Sequence, residues 1–293
     1  MRLDKVAILA DSCCDLPPEL QRRYGIFILN YRITLDGKTY QERVDFTPSQ
    51  YCTMLGQART APRTEAISVE EYFRAFKKCS EEGYSDVIAV TTASSVSQTN
   101  SNAHLALTHF YAQCHGSRMR LYIIDSKLFS MAYGYPLCVC AAMLQQGTAV
   151  KDAVAYLEDC FSRIEIVFGA YTLKYLKMSG RTKGFSAFVG DLLHKRPMMS
   201  YIDGISRLES SVTGDKNLIP AMCAYAARRM DKQQPYLVGT TSRERAGRLV
   251  DECARVFGYQ PQMVFEIGPS LVSHLGPEGD AIVFSGASRT VFL

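Results

Sequence analysis

The sequence predicts an α/β protein with a parallel sheet in its first half and mixed strand pairing in its second. Three observations carry this. Short apolar runs at Val6–Ala10, Val87–Thr91 and Leu121–Ile124 alternate with stretches whose apolar residues recur at helical spacing, the alternation that builds a parallel sheet with helices on its faces. Each run ends in polar residues, Asp11-Ser12, Ser94-Ser95 and Asp125-Ser126, at the carboxyl end of a strand where open α/β sheets collect ligands. In the second half, Met198–Ile202 and Ile205–Leu208 flank Asp203-Gly204, a dipeptide suited to a type I′ hairpin turn.

Taken in order, Val6–Ala10 is a buried strand followed by a turn and a short helix near Pro17 and Pro18. Ile26–Ile33 reads as one strand, and Asp36-Gly37 as a tight turn before Lys38 and Tyr40. Thr47-Pro48-Ser49-Gln50 has the order of a capped helix start, and that helix ends about Gly56. Arg59–Ala66 reads as a loop. Ser68 and Glu71 form a capping box for a helix with Val69, Tyr72, Phe73, Phe76 and Cys79 on one face, stopped by Gly83. Because this helix leads into the Val87 strand, the loop holding Thr64 is expected to lie close to the serines after that strand. Beyond those serines, Ala103, Ala106, Leu107, Phe110, Tyr111 and Cys114 mark the next helix. Ser130–Gln145 is a helix closed by Gly147, and Thr148 caps another that runs to about Ser162.

The second half reads as a strand at Ile164–Ala170, a short helix at Leu173–Met178, and a basic loop at Ser179–Gly184. After the hairpin come helices at Asn217–Met230 and Ser242–Phe257, with strands at Tyr236–Thr240, Met263–Ile267 and Ala281–Phe284. The change of pattern near residue 160 is the one sign of a domain boundary.

At 293 residues and 47% hydrophobic, the chain can bury a substantial core as two domains or one large one. Its 33 basic and 29 acidic residues are too balanced and dispersed for a nucleic-acid footprint; anionic small molecules or an acidic partner remain open. The ten cysteines include the neighbours Cys13 and Cys14 but no Cys-x-x-Cys pair, so neither zinc nor a disulfide framework is expected, and a reducing cytoplasm fits best. The run Val6–Ala10 stops at Asp11, too soon for a signal peptide. The longest apolar stretch, Met131–Leu144, contains Gly134 and Pro136 and falls short of the roughly 20 residues that span a bilayer, so a soluble protein is expected.

The candidate chemistry centres on Ser94, Ser95 and Ser97, neutral hydroxyls at a helix N-terminus, where backbone N–H groups and the helix dipole favour an anion. One serine suffices for capping, and the surplus points to a ligand. Phosphate-loop and dinucleotide fingerprints are missing. Ser94 or Ser95 with His274 offers a nucleophile and a base, so an acyl hydrolase is the enzyme alternative, ranked lower because Gly-x-Ser-x-Gly is absent. A binder of another small carboxylate is the other alternative. His274 is expected in a tight loop shaped by Gly276, Pro277 and Gly279. Arg181, Lys183 and Arg207 read as solvated charges or as a patch for an anionic surface.

Together these segments resemble the DegV family over essentially the whole chain. Asp11-Ser-Cys-Cys-Asp15-Leu-Pro is similar to its opening Asp-Ser-x-x-Asp-Leu-Pro, and Thr64–Ser68 to its Thr-Ser-x-Pro-Ser loop. Ser94-Ser-Val-Ser-Gln-Thr99 resembles its Ser-Ser-x-Leu-Ser-Gly-Thr, Ser179-Gly-Arg181 its Gly-Gly-Arg, Arg196-Pro197 its Lys-Pro, and His274-Leu-Gly-Pro277 its His-x-Gly-Pro. Departures are Glu65, Ile67, Gln98, Val212-Thr213 and Glu278.

The resemblance implies two domains, a Rossmann-like parallel-sheet α/β/α domain at 1–160 and a mixed-sheet α/β lipid-tail domain at 161–293, with a long-chain fatty acid between them. Thr64 and Ser95 would hold its carboxylate, Ser94 would support them, and His274 would complete the network. Members of the FakB type carry the acid to a separate kinase catalytic subunit, which makes acyl phosphate for phospholipid synthesis. The chain would then be a carrier and not an enzyme, with no catalytic or metal-binding residue and no cofactor beyond the bound acid. Arg181 would face the kinase.

Overall fold

A computed structural model describes residues 5–172, 174–178 and 194–286. The basic loop of Arg181 and Lys183 lies outside them. In chain order the elements are β1 (Val6–Asp11), α1 (Pro18–Tyr24), β2 (Ile26–Leu29), β3 (Arg32–Leu35), β4 (Lys38–Gln41), α2 (Pro48–Gln57), β5 (Arg63–Glu65), α3 (Val69–Glu81), β6 (Asp86–Thr91), α4 (Thr99–Gln113) and β7 (Arg120–Asp125). There follow α5 (Met131–Gln145), α6 (Val150–Arg163), β8 (Ile164–Ala170), α7 (Lys174–Met178), β9 (Lys195–Ile202), β10 (Ile205–Thr213), α8 (Leu218–Ala227), β11 (Tyr236–Thr240), α9 (Arg243–Phe257), β12 (Met263–Glu266), α10 (Pro269–Leu275) and β13 (Gly279–Ser285).

These elements form two compact units. One takes the described residues as far as Arg32 together with Glu65–Phe161; the other takes Ile33–Thr64 and the residues from Ser162 onward. A single cut near residue 160 therefore misses Ile33–Thr64, which joins the second unit through partners more than 200 positions away, Glu42 on Ser270 and Tyr51 on Ser273.

In the first unit four parallel strands lie in the order β2-β1-β6-β7. The central strands carry the most apolar runs, and all six residues of β6 are buried, as strands covered on both faces require. Helix α3 starts with the expected capping box: Ser68 Oγ accepts the Glu71 N–H and the Glu71 carboxylate accepts the Ser68 N–H. Its buried Tyr72, Phe76 and Cys79 form one stripe, and Phe76 meets Phe110 of α4 edge-on, with ring centroids 6.4 Å apart.

The expected single strand Ile26–Ile33 is instead two strands in different sheets. The break falls at Asn30-Tyr31, because the Tyr31 N–H donates to Ser12 Oγ at 2.9 Å and so leaves the ladder. β2 stays beside β1, while β3 joins a three-stranded sheet of order β4-β3-β5.

The second unit holds that small sheet and a six-stranded mixed sheet of order β10-β9-β8-β13-β11-β12. β11 and β12 run parallel; the other pairs are antiparallel. Asp203 and Gly204 have φ of 50° and 75°, as a type I′ turn demands, and the hairpin strands extend beyond their expected limits. The core gathers Val167, Leu218, Met222, Leu249, Ile282 and Phe284 between this sheet and helices α8 and α9. Arg63–Glu65, expected as loop, forms strand β5, whose three residues carry no apolar alternation and are ordered by pairing alone.

Candidate ligand site

In the first unit the polar strand ends are cross-tied by buried carboxylates. Asp11 Oδ1 accepts the Cys13 N–H at 3.1 Å and the Tyr133 hydroxyl at 2.7 Å, and its Oδ2 accepts the Thr92 N–H at 2.7 Å. Asp15, at φ 52°, accepts the Ser130 hydroxyl. The Asp-Ser-x-x-Asp segment is thus a brace that holds the ends of β1 and β6 and the start of α5.

Ser94 and Ser95 sit exposed in the turn after β6. Ser94 Oγ donates to Asp125 Oδ2 at 2.5 Å and its N–H to Oδ1 at 3.2 Å, which ties the turn to the end of β7. The N-cap of α4 is Gln98, with no side-chain cap bond, while Ser97 Oγ accepts the Thr99 N–H at 3.3 Å. Capping therefore accounts for Ser97 and not for Ser94. The Tyr31 hydroxyl bonds Ser97 Oγ at 2.8 Å and Thr99 Oγ1 at 2.6 Å. Burial, reinforced by the Asp11 charge, pushes that phenol well above its ordinary pKa, so it stays protonated.

In the second unit Thr64 and His274 come together across 210 positions, Oγ1 to Nε2 at 3.4 Å. Thr64 is half-buried on β5 between exposed Arg63 and Glu65. Strand alternation sends the Glu65 carboxylate to the face opposite the Thr64 hydroxyl. His274 stands in the last turn of helix α10 and not in the expected loop. A hydroxyl and an imidazole can each donate a hydrogen bond to an oxyanion, and neither brings negative charge.

Behind them α10 is gripped by two residues that sequence reasoning passed over. Glu42, fully buried, accepts the Ser270 N–H at 2.7 Å and the Ser270 hydroxyl at 2.8 Å. Tyr51 bonds Ser273 Oγ at 2.6 Å. Neither position has a local signature, since Glu42 lies in a polar stretch and Tyr51 on an ordinary helix face.

Glu278, a departure from the family pattern, has a partner in Arg245, with Nη1 to Oε1 at 3.4 Å. The Arg245 guanidinium also reaches Thr241 at 3.1 Å and Asp280 at 3.5 Å and stacks over the Tyr171 ring. A cavity of about 340 Å³ beside it is lined by Arg243 and Glu266, themselves paired at 3.1 Å, and by Cys52. Burial, helped by the Glu266 charge, pushes the Cys52 thiol up to about 11. Among the described residues no cluster of His, Cys, Asp and Glu suits a metal ion, and no helix is long and apolar enough to cross a membrane.

A family model described as an uncharacterised protein, DegV family, matches residues 5–286. A fatty acid-binding protein of Thermotoga maritima is 26% identical over 280 residues, covering 93% of this chain and 95% of that protein. A DegV domain-containing protein of Caldanaerobacter subterraneus is 28% identical over 219 residues, covering 74% and 75%. Among solved structures, a stearic acid-binding protein of Eubacterium ventriosum superposes with a TM-score of 0.88 at 23% identity, over 96% of this chain and 98% of that one. The Streptococcus pneumoniae fatty acid kinase B3 protein, loaded with linoleic acid, superposes with a TM-score of 0.82 at 15% identity, over 96% and 99%. At such identities the structural likeness speaks for the two-domain α/β fold, and the family match over nearly the whole length speaks for descent: the chain belongs to the DegV family.

Proposed function

We propose that this chain binds a long-chain fatty acid by its carboxylate and presents it to a separate kinase for phosphorylation to acyl phosphate, as a cytoplasmic carrier that performs no chemistry itself. The observation that carries this reading is the approach of Thr64 Oγ1 to His274 Nε2 at 3.4 Å, a hydroxyl and an imidazole at positions that the family resemblance assigns to the head group. Ser95 is assigned to the same carboxylate by that resemblance, with Ser94 in support. Relatives described as fatty acid-binding favour the same ligand class. The tail supplies the affinity: at about 0.8 kcal/mol per buried methylene, a dozen methylenes contribute an upper limit near 10 kcal/mol before ordering costs.

The test is denaturing extraction of the purified protein followed by mass spectrometry. A co-purifying fatty acid is expected, and empty protein that also ignores added palmitate or oleate defeats the reading. The kinase step is tested separately with Arg181→Glu, which is expected to lower acyl-phosphate formation by a cognate kinase while leaving fatty-acid content intact. Unchanged acyl-phosphate formation removes Arg181 from the interface.

A further inference from the structure

Helix α10 spans seven residues, and a helix this short does not hold itself in water. Its position is set by what grips it. The N-cap Gly268 offers no side chain, and Pro269 at the first helical position has no N–H. The missing cap comes from Glu42, 228 positions earlier, whose buried carboxylate accepts both the N–H and the hydroxyl of Ser270. One turn on, Ser273 Oγ donates to Pro269 O at 2.9 Å and so receives the Tyr51 proton. Burial, opposed in part by the bond to Ser273, raises the Tyr51 pKa and keeps it a donor.

Glu42 follows directly on Gln41, the last residue of β4, and Thr64 lies on β5 of the same three-stranded sheet. Both sides of the Thr64–His274 contact are thus referenced to one sheet: β5 places the hydroxyl, and β4, through Glu42 and α10, places the imidazole. A slip of one residue along α10 would turn its side chains by about 100° and shift them about 1.5 Å, enough to break a 3.4 Å approach.

We propose that Glu42 is a positioning residue for His274, holding α10 in the register that brings the imidazole to Thr64, without touching the ligand. The proposal rests on reading Thr64 and His274 as the carboxylate site. A purely structural role for Glu42 would lower stability and leave its effect on binding independent of His274.

The experiment measures oleate affinity of delipidated protein by calorimetry for Glu42→Gln, alone and combined with His274→Ala. Glu42→Gln is expected to weaken oleate binding about tenfold, and less than about twofold once the imidazole is gone, because coupled residues lose additivity. Equal losses in both backgrounds, or no loss, overturn the proposal. Ser270→Ala, which removes one of the two bonds to Glu42, keeps the test available if Glu42→Gln does not fold; it is expected to give a smaller loss with the same dependence on His274. Wild-type protein that takes up no oleate defeats the fatty-acid reading instead. The positioning claim is then judged without ligand, by the His274 ring signals in long-range ¹H–¹⁵N spectra, assigned with His274→Ala. Thr64→Ala is expected to move them in the wild-type background and not in Glu42→Gln; an equal response in both overturns it.

Discussion

Tyr133 on α5 donates its hydroxyl to Asp11 Oδ1 at 2.7 Å, across 122 positions of chain. With the N–H groups of Cys13 and Thr92 on the same carboxylate, one buried charge closes the ends of two strands onto a helix. Burial, reinforced by the Asp11 charge, raises the Tyr133 pKa well above its usual value, so the phenol stays a donor. Removing it by Tyr133→Phe is expected to cost roughly 1.5–3 kcal/mol, the range for a hydrogen bond to a charged group. Asp11→Ala orphans three donors and is expected to cost more, roughly 3–5 kcal/mol. Urea denaturation decides; a Tyr133→Phe protein as stable as wild type removes the brace.

Ser94 and Ser95 are neighbours with different expected roles. The Ser94 hydroxyl is committed to Asp125 at 2.5 Å, so Ser94→Ala is expected to loosen the turn and lower affinity only indirectly. Ser95→Ala and Thr64→Ala are each expected to weaken oleate binding about 10- to 100-fold. If they share one carboxylate, the double variant departs from additivity by roughly 0.5–3 kcal/mol. Small, additive losses in calorimetric titrations would sink the shared-carboxylate assignment.

Asp36 predicts a signature in acid. At φ 48° in the turn between β3 and β4, it accepts the Arg59 N–H, the Thr60 N–H and the Thr60 hydroxyl. The Arg59 N–H first, then Thr60, hold its carboxyl below the usual range. A carboxyl whose folded pKa is lowered adds stability above the unfolded value, and that stability is lost as pH falls through the folded one. Asn tolerates the left-handed conformation, so Asp36→Asn isolates the charge. The variant is expected to be less stable at neutral pH, with the gap closing below about pH 4. Denaturant midpoints against pH test this, and a gap constant across the range contradicts it.

Gly276 ends α10 at φ 97°, and a Cβ there would stand 2.6 Å from Cδ2 of Tyr175. Gly258 ends α9 at φ 89° with nothing within 4 Å of the same position. Gly258→Ala is expected to cost about 1–2 kcal/mol for conformation alone. Gly276→Ala adds the clash and is expected to reach roughly 2–4 kcal/mol. Equal melting shifts for the two variants would show that Tyr175 yields without cost.

What the sequence determined by itself is what depends on neighbours a few residues apart. The capping boxes at Thr47/Gln50 and Ser68/Glu71 formed as read, because each closes within four residues. The Asp203-Gly204 turn formed because its two positive φ angles favour those residue types. The buried runs of β1 and β6 announced central parallel strands. The family resemblance named Thr64, Ser94, Ser95 and His274 as one site; the fold brought Thr64 to His274 and gave Ser94 a partner in Asp125. Tertiary structure alone decided the rest. Asn30-Tyr31 leaves its strand because Ser12 takes the Tyr31 N–H, β5 is a strand only because β3 pairs with it, and α10 is a helix capped from 228 positions away. In each case a hydrogen-bond partner distant in sequence outweighs a weak local preference, and no window of neighbouring residues contains that partner.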